Sequence, residues 1–534
     1  MAKSQLFGRK TVDHIQAEFN QGELKRTLGP ANLVSLGVGC IIGAGIFVLT
    51  GQAAANFAGP GVVISFIIAG LACTFAGLCY AELASTMPVP GSAYTYSYVT
   101  LGEVFAWTMG WLLLLEYGVA ASTVAAGWTA YVAGDAHTVG LLQEFGINIP
   151  LAVKSSTLQF TDGVLQIHPT INLVGAVGIL AVTALLCIGV HESAQVNNVI
   201  VAIKVTVLLA FAAIGAFYLD PANWVPFIPE NEGGFKFGIQ GVLRAASIIF
   251  FAYVGFEAVS TAAGEARNPQ KDLPLGILGS LFICTAIYII VALVMTGVVP
   301  YRELAGGAPI AIAIDRMNPT WAIIPWSLNE AGSLNLLALV IKIGAFTGLT
   351  SVMLVLCYAQ TRVFYQMSKD GLVPAIFSKL NARFKTPAAG TVLLGVVIAI
   401  AAAVLPLSVL GDMVSLGTAL AFAIVCISVM YLRRAHPDLA RPFRVPLYPI
   451  TPILGIFFCV VLMMGPILLD ILSKGIGVDL LGAMMGAPGE VEKDPVALGI
   501  LVTYAIIGVL VYWFYGSRNS KLAKENAASA SSAE

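Results

Sequence analysis

Two apolar segments, each long enough to cross a lipid bilayer, are interrupted near their middles. The first contains Gly37-Val-Gly-Cys-Ile-Ile-Gly-Ala-Gly-Ile-Phe47, and the second contains Phe250-Phe-Ala-Tyr-Val-Gly-Phe-Glu257. A membrane span must satisfy its backbone hydrogen bonds internally, so irregular backbone at this depth is tolerated only where it is enclosed by protein or lines a cavity. A pair of interrupted spans in corresponding positions of two halves is the sequence pattern that best indicates a transporter binding site.

The composition places most of the chain in a membrane. Hydrophobic residues make up 58% and charged residues 11%, whereas soluble domains carry about 25% charged residues. The sequence therefore predicts an all-α integral membrane protein with twelve spans of about 20 residues. The predicted spans are 31–55, 60–85, 102–133, 170–190, 195–218, 238–263, 274–299, 334–366, 388–405, 410–432, 451–473 and 495–516.

The distribution of lysine and arginine predicts the orientation of these spans. With the N-terminal segment inside, the inner segments hold 18 of these residues and the outer segments hold 6. Basic residues accumulate on the cytoplasmic side, so we expect both termini in the cytoplasm and the protein in the cell membrane. No cleavable leader is recognised before the first span, which is expected to act as the insertion signal.

The two interruptions together describe a site for a zwitterion. Unwinding around residues 43–45 exposes amides at the start of an outer half-helix, where a carboxylate is favoured. Unwinding in the second segment exposes carbonyls that suit an ammonium group, so we predict an α-amino acid. The alternative is that the glycines only let helices pack closely. The residues predicted to bind the substrate here are Ile41, Gly43, Ala44, Gly45, Phe250, Phe251, Ala252 and Val254.

Several motifs resemble those of the amino acid–polyamine–organocation (APC) superfamily over roughly residues 28–432. They are the glycine-rich run at 37–47, Tyr80-Ala-Glu-Leu83, Pro88-x-Pro-Gly-Ser-Ala-Tyr-Thr-Tyr-Ser-Tyr98, and the segment 250–257 leading to Gly264-Glu-Ala-Arg-Asn-Pro-Gln-Lys-Asp-Leu-Pro274. Their order and spacing look most like the cationic amino acid transporter branch.

This resemblance implies a LeuT-type fold with two inverted repeats of five helices and broken helices 1 and 6. The expected units are a cytoplasmic segment 1–30, a first repeat 31–218, a second repeat 238–432, two further spans within 451–516, and a cytoplasmic tail 517–534.

Lys204 is an ionisable residue placed deep in a predicted span. It lies about eight residues, or roughly 12 Å, from the inner end of its span. Reaching the interface by snorkelling is strained at that depth, and a charge near the bilayer centre is functional by default. In similar transporters a lysine here replaces a sodium ion, which implies a proton-coupling role, with Thr350 and Ser351 as candidate partners.

Glu116 and Glu257 are the two carboxylates within the spans that concern the substrate. Similar cationic transporters have acidic residues at these two places, which implies an acidic pocket for a basic side chain. The alternative is a structural one, in which each carboxyl group pairs with a buried lysine or arginine or bonds to the backbone.

The leading interpretation is a proton-coupled symporter that imports amino acids, cationic ones such as arginine, lysine and ornithine above all, and neutral ones in addition. An exchanger or a broad neutral amino acid carrier without proton coupling stays open, as does an amino acid sensor. No metal-ligand set, nucleophile with a base, or nucleotide motif is recognised, so we expect neither an enzyme nor a cofactor nor nucleic acid binding. Expected partners are the amino acid, protons and the bilayer; a small regulatory membrane subunit is neither indicated nor excluded.

Overall fold

The computed structural model describes residues 8–9, 27–88, 92–161, 164–189, 194–317, 319–326, 333–474 and 495–524. Most of the predicted N-terminal segment 1–30 and part of the predicted tail 517–534 lie outside these residues.

The described chain is mainly helical, because long apolar runs can satisfy their backbone groups only within helices. The α-helices are α1 (Pro30–Ile41), α2 (Thr50–Ala53), α3 (Val62–Thr86), α4 (Ser92–Thr100), α5 (Glu103–Leu114), α6 (Ala120–Ala133), α7 (Leu141–Glu144), α8 (Leu173–Ile188), α9 (Ala194–Gly215), α10 (Gly238–Ile249), α11 (Pro269–Val298), α12 (Pro309–Met317), α13 (Leu336–Lys369), α14 (Ala388–Val404), α15 (Leu407–Ala435), α16 (Ile450–Lys474), α17 (Pro495–Val511) and α18 (Ser517–Asn519). Wider π-helical turns occupy Gly45–Leu49, Ala54–Ala58, Leu115–Val119 and Tyr512–Gly516. Two antiparallel hairpins lie in loops and pair β1 (Leu158–Thr161) with β2 (Val164–Ile167), and β3 (Ile323–Pro325) with β4 (Ser333–Asn335).

Among the described residues, seven helical runs are long and apolar enough to cross a membrane, and three shorter apolar helices accompany them. The seven are Pro30–Thr86, Glu103–Ala133, Gln195–Tyr218, Gly238–Glu265, Pro269–Val298, Leu336–Lys369 and Leu407–Ala435. These helices agree with the predicted all-α membrane protein. The number of twelve spans and the inverted repeat stay predictions.

The run Gly238–Glu265 lies at the centre of the helix packing. In its most apolar stretch of 18 residues 89% of the residues are buried, against 39% in the corresponding stretch of Gln195–Tyr218. Helix α11 packs against both α1 and α3, and α9 packs against α1 and α13. The first interrupted helix is therefore enclosed by α9 and α11.

In the structure both helices are interrupted within the segments for which the sequence predicts it. Helix α1 ends at Ile41, and Ile42 has an extended ψ of 93° before the chain resumes as π-helical turns at Gly45–Leu49. Helix α10 ends at Ile249 and continues as a 3₁₀ turn; Val254 is then extended, with a ψ of 133°. Gly255 follows at a φ of 118°, a left-handed conformation that only glycine adopts readily.

At one end of the bundle, the carboxylate of Glu103 accepts hydrogen bonds from hydroxyl groups in separate parts of the chain. Tyr98, Tyr512 and Ser520 all donate to it, at 2.9 and 3.1 Å for the two tyrosines. The backbone N–H of Glu103 also donates to the carbonyl of Gly8. The start of α5 thus binds residues from both ends of the described chain.

Candidate functional site

The two interruptions lie directly against each other. A Cβ atom built on Gly45 would stand 2.2 Å from the Cβ of Ala252, and one built on Gly255 would stand 2.8 Å from the Cβ of Cys40. A real Cβ atom essentially never lies within 3.0 Å of another heavy atom, so a side chain at either position would force the two interruptions apart. Other glycines of the first span serve packing, since Gly37 lies against α11.

Tyr288 of α11 joins the two interruptions through its hydroxyl group. The hydroxyl oxygen lies 2.7 Å from the carbonyl of Ile41 and 3.0 Å from the carbonyl of Ala252. One hydroxyl carries a single proton, so these two carbonyls share one donor. Sequence reasoning missed Tyr288, although a buried tyrosine in the middle of an apolar span needs a hydrogen-bond partner and could have drawn notice.

A small cavity lies between the interruptions and the helices that face them. Its volume is about 10 Å³, which is room for roughly one water molecule. The lining residues are Cys40, Ile41, Gly43, Ala44, Gly45, Ala120, Val124, Phe251, Val254, Val352 and Leu356. The structure thus brings six of the eight predicted backbone-binding residues to one cavity, but in a closed state that must open before an amino acid fits.

Two of the predicted backbone-binding residues, Phe250 and Ala252, are outside the cavity lining. The carbonyl of Ala252 faces Tyr288, as described, and the carbonyl of Phe251 accepts from the N–H of Val254 at 3.0 Å. The carbonyl groups of the second interruption are therefore partly occupied by the protein's own donors in this closed state.

Glu116 is fully buried in the π-helical turn Leu115–Val119, between α5 and α6. Neither of its carboxylate oxygens has a hydrogen-bond partner among the described residues. Its electrostatic neighbours are Glu257 and Thr418, and the Thr418 hydroxyl is likewise without a partner in the described chain. Glu116 precedes the cavity-lining residue Ala120 by four positions, which is one helical turn.

Gln360 of α13 repeats this arrangement on the facing helix. It is fully buried, its amide nitrogen and oxygen both lack partners within the described ranges, and it follows the cavity-lining residue Leu356 by one turn. Buried polar groups without partners are rare and call for an explanation such as water, an ion or a ligand. Glu116 and Gln360 are therefore two buried polar groups, each one turn from a residue that lines the apolar cavity.

Glu257 is also fully buried, but its carboxylate bonds to the backbone. It accepts the N–H of Gly255 at 2.9 Å, at the start of the 3₁₀ run Phe256–Glu265. Negative charge at a helix N-terminus is favourable, so this contact stabilises the second half of the interrupted helix, Phe256–Glu265. The predicted contact of Glu257 with a substrate side chain stays a prediction.

Lys204 of α9 binds the end of the first half-helix. Its Nζ lies 2.8 Å from the carbonyl of Gly39, within the last turn of α1, and the residue is fully buried. The aliphatic part of the side chain packs on Gly348 of α13, where an added Cβ would stand 3.1 Å from its Cγ. The lysine thus connects α1, α9 and α13.

The two candidate partners of Lys204 have different surroundings. The hydroxyl of Thr350 donates to the carbonyl of Phe346 at 2.7 Å and accepts from the indole N–H of Trp128 at 3.0 Å. The hydroxyl of Ser351 is buried and has no hydrogen-bond partner in the described part of the chain. Ser351 therefore remains the candidate with an available hydroxyl group.

Two other charged residues of the spans pair with carboxylates outside the cavity. Arg244 lies 2.6 Å from Asp412, and Lys342 lies 2.7 Å from Glu144 of α7. These ion pairs link separate helices.

The sequence is similar to that of a known protein family. Residues 28–477 match the family model described as amino acid permease. The chain is 40% identical to the methylthioribose transporter of Bacillus subtilis (strain 168) over 521 residues, which cover 98% of this chain and 100% of that protein. It is 40% identical over 522 residues to the branched-chain amino acid permease BcaP of the same organism, covering 97% and 99% of the two chains. It is 36% identical over 436 residues to the vacuolar cationic amino acid transporter 4 of Arabidopsis thaliana, covering 81% and 68%.

Proposed function

Because this chain belongs to the amino acid permease family and is a multi-pass membrane protein, we propose that it imports amino acids by alternating access at the paired interruptions. The single observation that carries the proposal is the cavity between Gly45 and Phe251, where backbone groups of two interrupted helices converge. Half-helix ends offer partial charges of both signs, which suit the carboxylate and ammonium groups of an amino acid. The closed cavity is an intermediate that opens to either side.

We propose cationic amino acids, such as arginine, lysine and ornithine, as the preferred substrates. Support comes from Glu116, a buried carboxyl group with no hydrogen-bond partner in the described chain, one turn beyond the cavity. A long basic side chain that extends from the cavity toward Glu116 and Gln360 supplies the donors that these groups need. The similarity to a protein named as a cationic amino acid transporter agrees with this direction.

The substrate proposal is tested by ligand-induced thermal stabilisation of purified variants with arginine, lysine and alanine. A charge-assisted hydrogen bond contributes about 1.5–3 kcal/mol, and about 1.4 kcal/mol is a factor of ten in affinity. We expect Glu116→Gln to weaken arginine binding roughly tenfold or more and alanine binding much less. Glu257→Gln serves as a comparison, because its carboxylate already bonds to Gly255.

The outcomes for the two carboxyl groups are distinct. A selective loss of arginine binding in Glu257→Gln would support its predicted contact with the substrate. An equal loss of arginine and alanine would assign it to the support of the second half of the interrupted helix. Equal losses for both ligands in Glu116→Gln would contradict the cationic pocket.

We propose that Lys204 couples transport to protons. Its ammonium group bonds to the carbonyl of Gly39, so loss of a proton from the lysine replaces a charge-assisted hydrogen bond between α1 and α9 by a weaker neutral one. In proteoliposomes we expect an inward proton gradient to drive arginine uptake and sodium to have no effect. Lys204→Ala is expected to abolish the stimulation, and Lys204→Arg to do the same, because arginine keeps its proton. Acid-driven accumulation by a folded Lys204→Ala variant would refute the coupling role and favour an exchanger.

A neutral amino acid carrier is the second candidate. The cavity lining is apolar apart from the backbone, with Val124, Val352 and Leu356 facing the interruptions, and one relative is named as a branched-chain amino acid permease. In the same assay, stronger stabilisation by leucine or valine than by arginine would favour this reading.

We also propose cytoplasmic termini in the cell membrane, from the distribution of basic residues. Single cysteines at the exposed Arg518 and in the exposed part of the 134–169 loop would be probed in a cysteine-free variant with an impermeant reagent. We expect labelling from outside only in the loop. Outside labelling at position 518 in intact cells would reverse the orientation.

A further inference from the structure

Four arginines converge around one cavity at the end of α15. The cavity has a volume of about 420 Å³, far larger than the one between the interruptions. The arginine pocket, as we call it, is lined by Arg433, Arg434, Pro437, Arg441, Arg444, Tyr448 and Pro449. It lies in the connection from α15 to α16 and shares no residue with the substrate cavity.

Two of these arginines are held rigidly. Arg433 forms a two-pronged ion pair with the buried carboxylate of Glu82, with its Nε at 2.8 Å, and stacks on Tyr448 with 4.2 Å from its guanidinium carbon to the ring centre. Arg441 donates to four backbone carbonyls, among them that of Leu439 at 2.8 Å. Glu82 also lies 3.6 Å from the Nε of Arg441. The back wall of the pocket is therefore preorganised, and the single carboxylate balances only one of its two positive charges.

The other two arginines, Arg434 and Arg444, are exposed at the mouth of the pocket. Within the described ranges neither makes a hydrogen bond or an ion pair, and none of the residues that line the pocket is acidic. Like charges held this close repel one another, so the concavity favours an anion. Guanidinium groups match the oxygens of phosphate with paired hydrogen bonds, which makes phosphate the fitting chemistry.

The surroundings favour a membrane lipid as the source of the phosphate. Immediately beyond Tyr448, the exposed apolar residues Ile450, Ile453 and Phe457 follow one another along one face of α16. Leu447 beside them is 76% exposed. Helix α16 is apolar and starts at the pocket, so acyl chains along this face would place their headgroup at the arginines.

We propose that the arginine pocket binds the phosphate headgroup of an anionic phospholipid, whose acyl chains lie along the first turns of α16. This site is independent of the proposed substrate. Each basic residue near an anionic headgroup contributes roughly a fivefold change in affinity. Removing Arg434 and Arg444 together should therefore weaken binding about 30-fold.

The experiment uses the full-length protein in detergent, titrated with phosphatidylglycerol, phosphatidylcholine or inorganic phosphate and monitored by native mass spectrometry. The double variant Arg434→Gln/Arg444→Gln leaves the contacts of Glu82 intact. Arg383→Gln/Arg518→Gln is the matched control, because these arginines are also exposed and lie outside the pocket. We expect phosphatidylglycerol to bind tightly to the unaltered protein. Its affinity should fall about 30-fold in the pocket variant and change less than twofold in the control variant.

Three results would overturn the proposal. Equal losses in both double variants would indicate unspecific charge attraction, and an unchanged affinity in the pocket variant would place the lipid elsewhere. Inorganic phosphate that displaces phosphatidylglycerol at equal concentration would identify a soluble anion as the ligand. Should the pocket variant fail to fold, a photoreactive phosphatidylglycerol is applied to the unaltered protein; crosslinks to residues 433–457 are expected, and crosslinks confined to other segments would refute the site.

Discussion

Replacing Tyr288 by phenylalanine tests whether the protein itself occupies the groups that the substrate must bind. The change removes only the hydroxyl oxygen. The ring remains in its packing with Phe66 and Tyr253, whose ring centres lie 5.3 and 5.6 Å away. The carbonyls of Ile41 and Ala252 lose their shared donor in a buried environment. An unsatisfied buried acceptor costs about 1–3 kcal/mol, so the ligand-free protein should become less stable by about that amount.

The bound state should respond differently, because the ammonium group of an amino acid brings three donors. If the ammonium group donates to one of these carbonyls, the substrate-bound form of Tyr288→Phe loses little stability. The difference between the two states then appears as tighter binding, by roughly tenfold for each 1.4 kcal/mol. Arginine and alanine should gain equally, since the effect concerns the backbone groups of the substrate.

The assay compares thermal unfolding with and without ligand, together with equilibrium binding of radiolabelled arginine and alanine. Tyr253→Phe is the control. Tyr253 lies in the second interruption, but its hydroxyl donates at 2.9 Å to the carbonyl of Phe66 in α3 and not to a carbonyl of either interruption. We expect the control to lose some stability and no affinity. Weaker substrate binding by Tyr288→Phe, or equal destabilisation with and without ligand, would refute competition between the hydroxyl and the ammonium group.

Three further predictions concern packing and charge. Gly45→Ala should abolish substrate binding, because its Cβ would stand 2.2 Å from that of Ala252, whereas Gly29→Ala, with open space around it, should bind normally. Lys342→Met should reduce the free energy of unfolding by about 3–5 kcal/mol, measured by denaturant titration, because it removes the 2.7 Å ion pair with the nearly buried carboxylate of Glu144. Arg302→Gln should change that free energy by less than about 1 kcal/mol in the same titration, since its ion pair is exposed to solvent on both sides. If Arg302→Gln lowered the free energy of unfolding as much as Lys342→Met, the reasoning from burial would be contradicted.

The sequence predicted the interruptions because each one contains a glycine that the structure requires. Gly255 is required locally, since it adopts a left-handed conformation, and Gly45 is required because Ala252 of the other interruption lies against it. The bond from Glu257 to the N–H of Gly255 spans two residues and could have been predicted as a helix cap. Lys204 was predicted as a deep charge from its position alone.

Other parts of the site depend on how distant helices face each other. Tyr288 reaches carbonyls that lie 247 and 36 positions earlier in the chain, and no periodicity indicates which way its hydroxyl group points. The same holds for Gln360, whose position beyond the cavity follows from the rotation of α13. The carboxylate partners of Arg244 and Lys342 likewise depend on tertiary packing, so the sequence alone does not identify them.

The hydroxyl cluster around Glu103 has a practical consequence for protein engineering. Ser520 is 1% exposed and donates to this carboxylate, so the segment after the final long helix is a structural component and not a free attachment point. Removing the residues after Asn519, as in a truncation made for crystallisation, would remove one of the three hydroxyl donors and open the start of α5 to water. A reporter joined beyond residue 524 would preserve that contact, whereas one inserted before Ser520 would displace it.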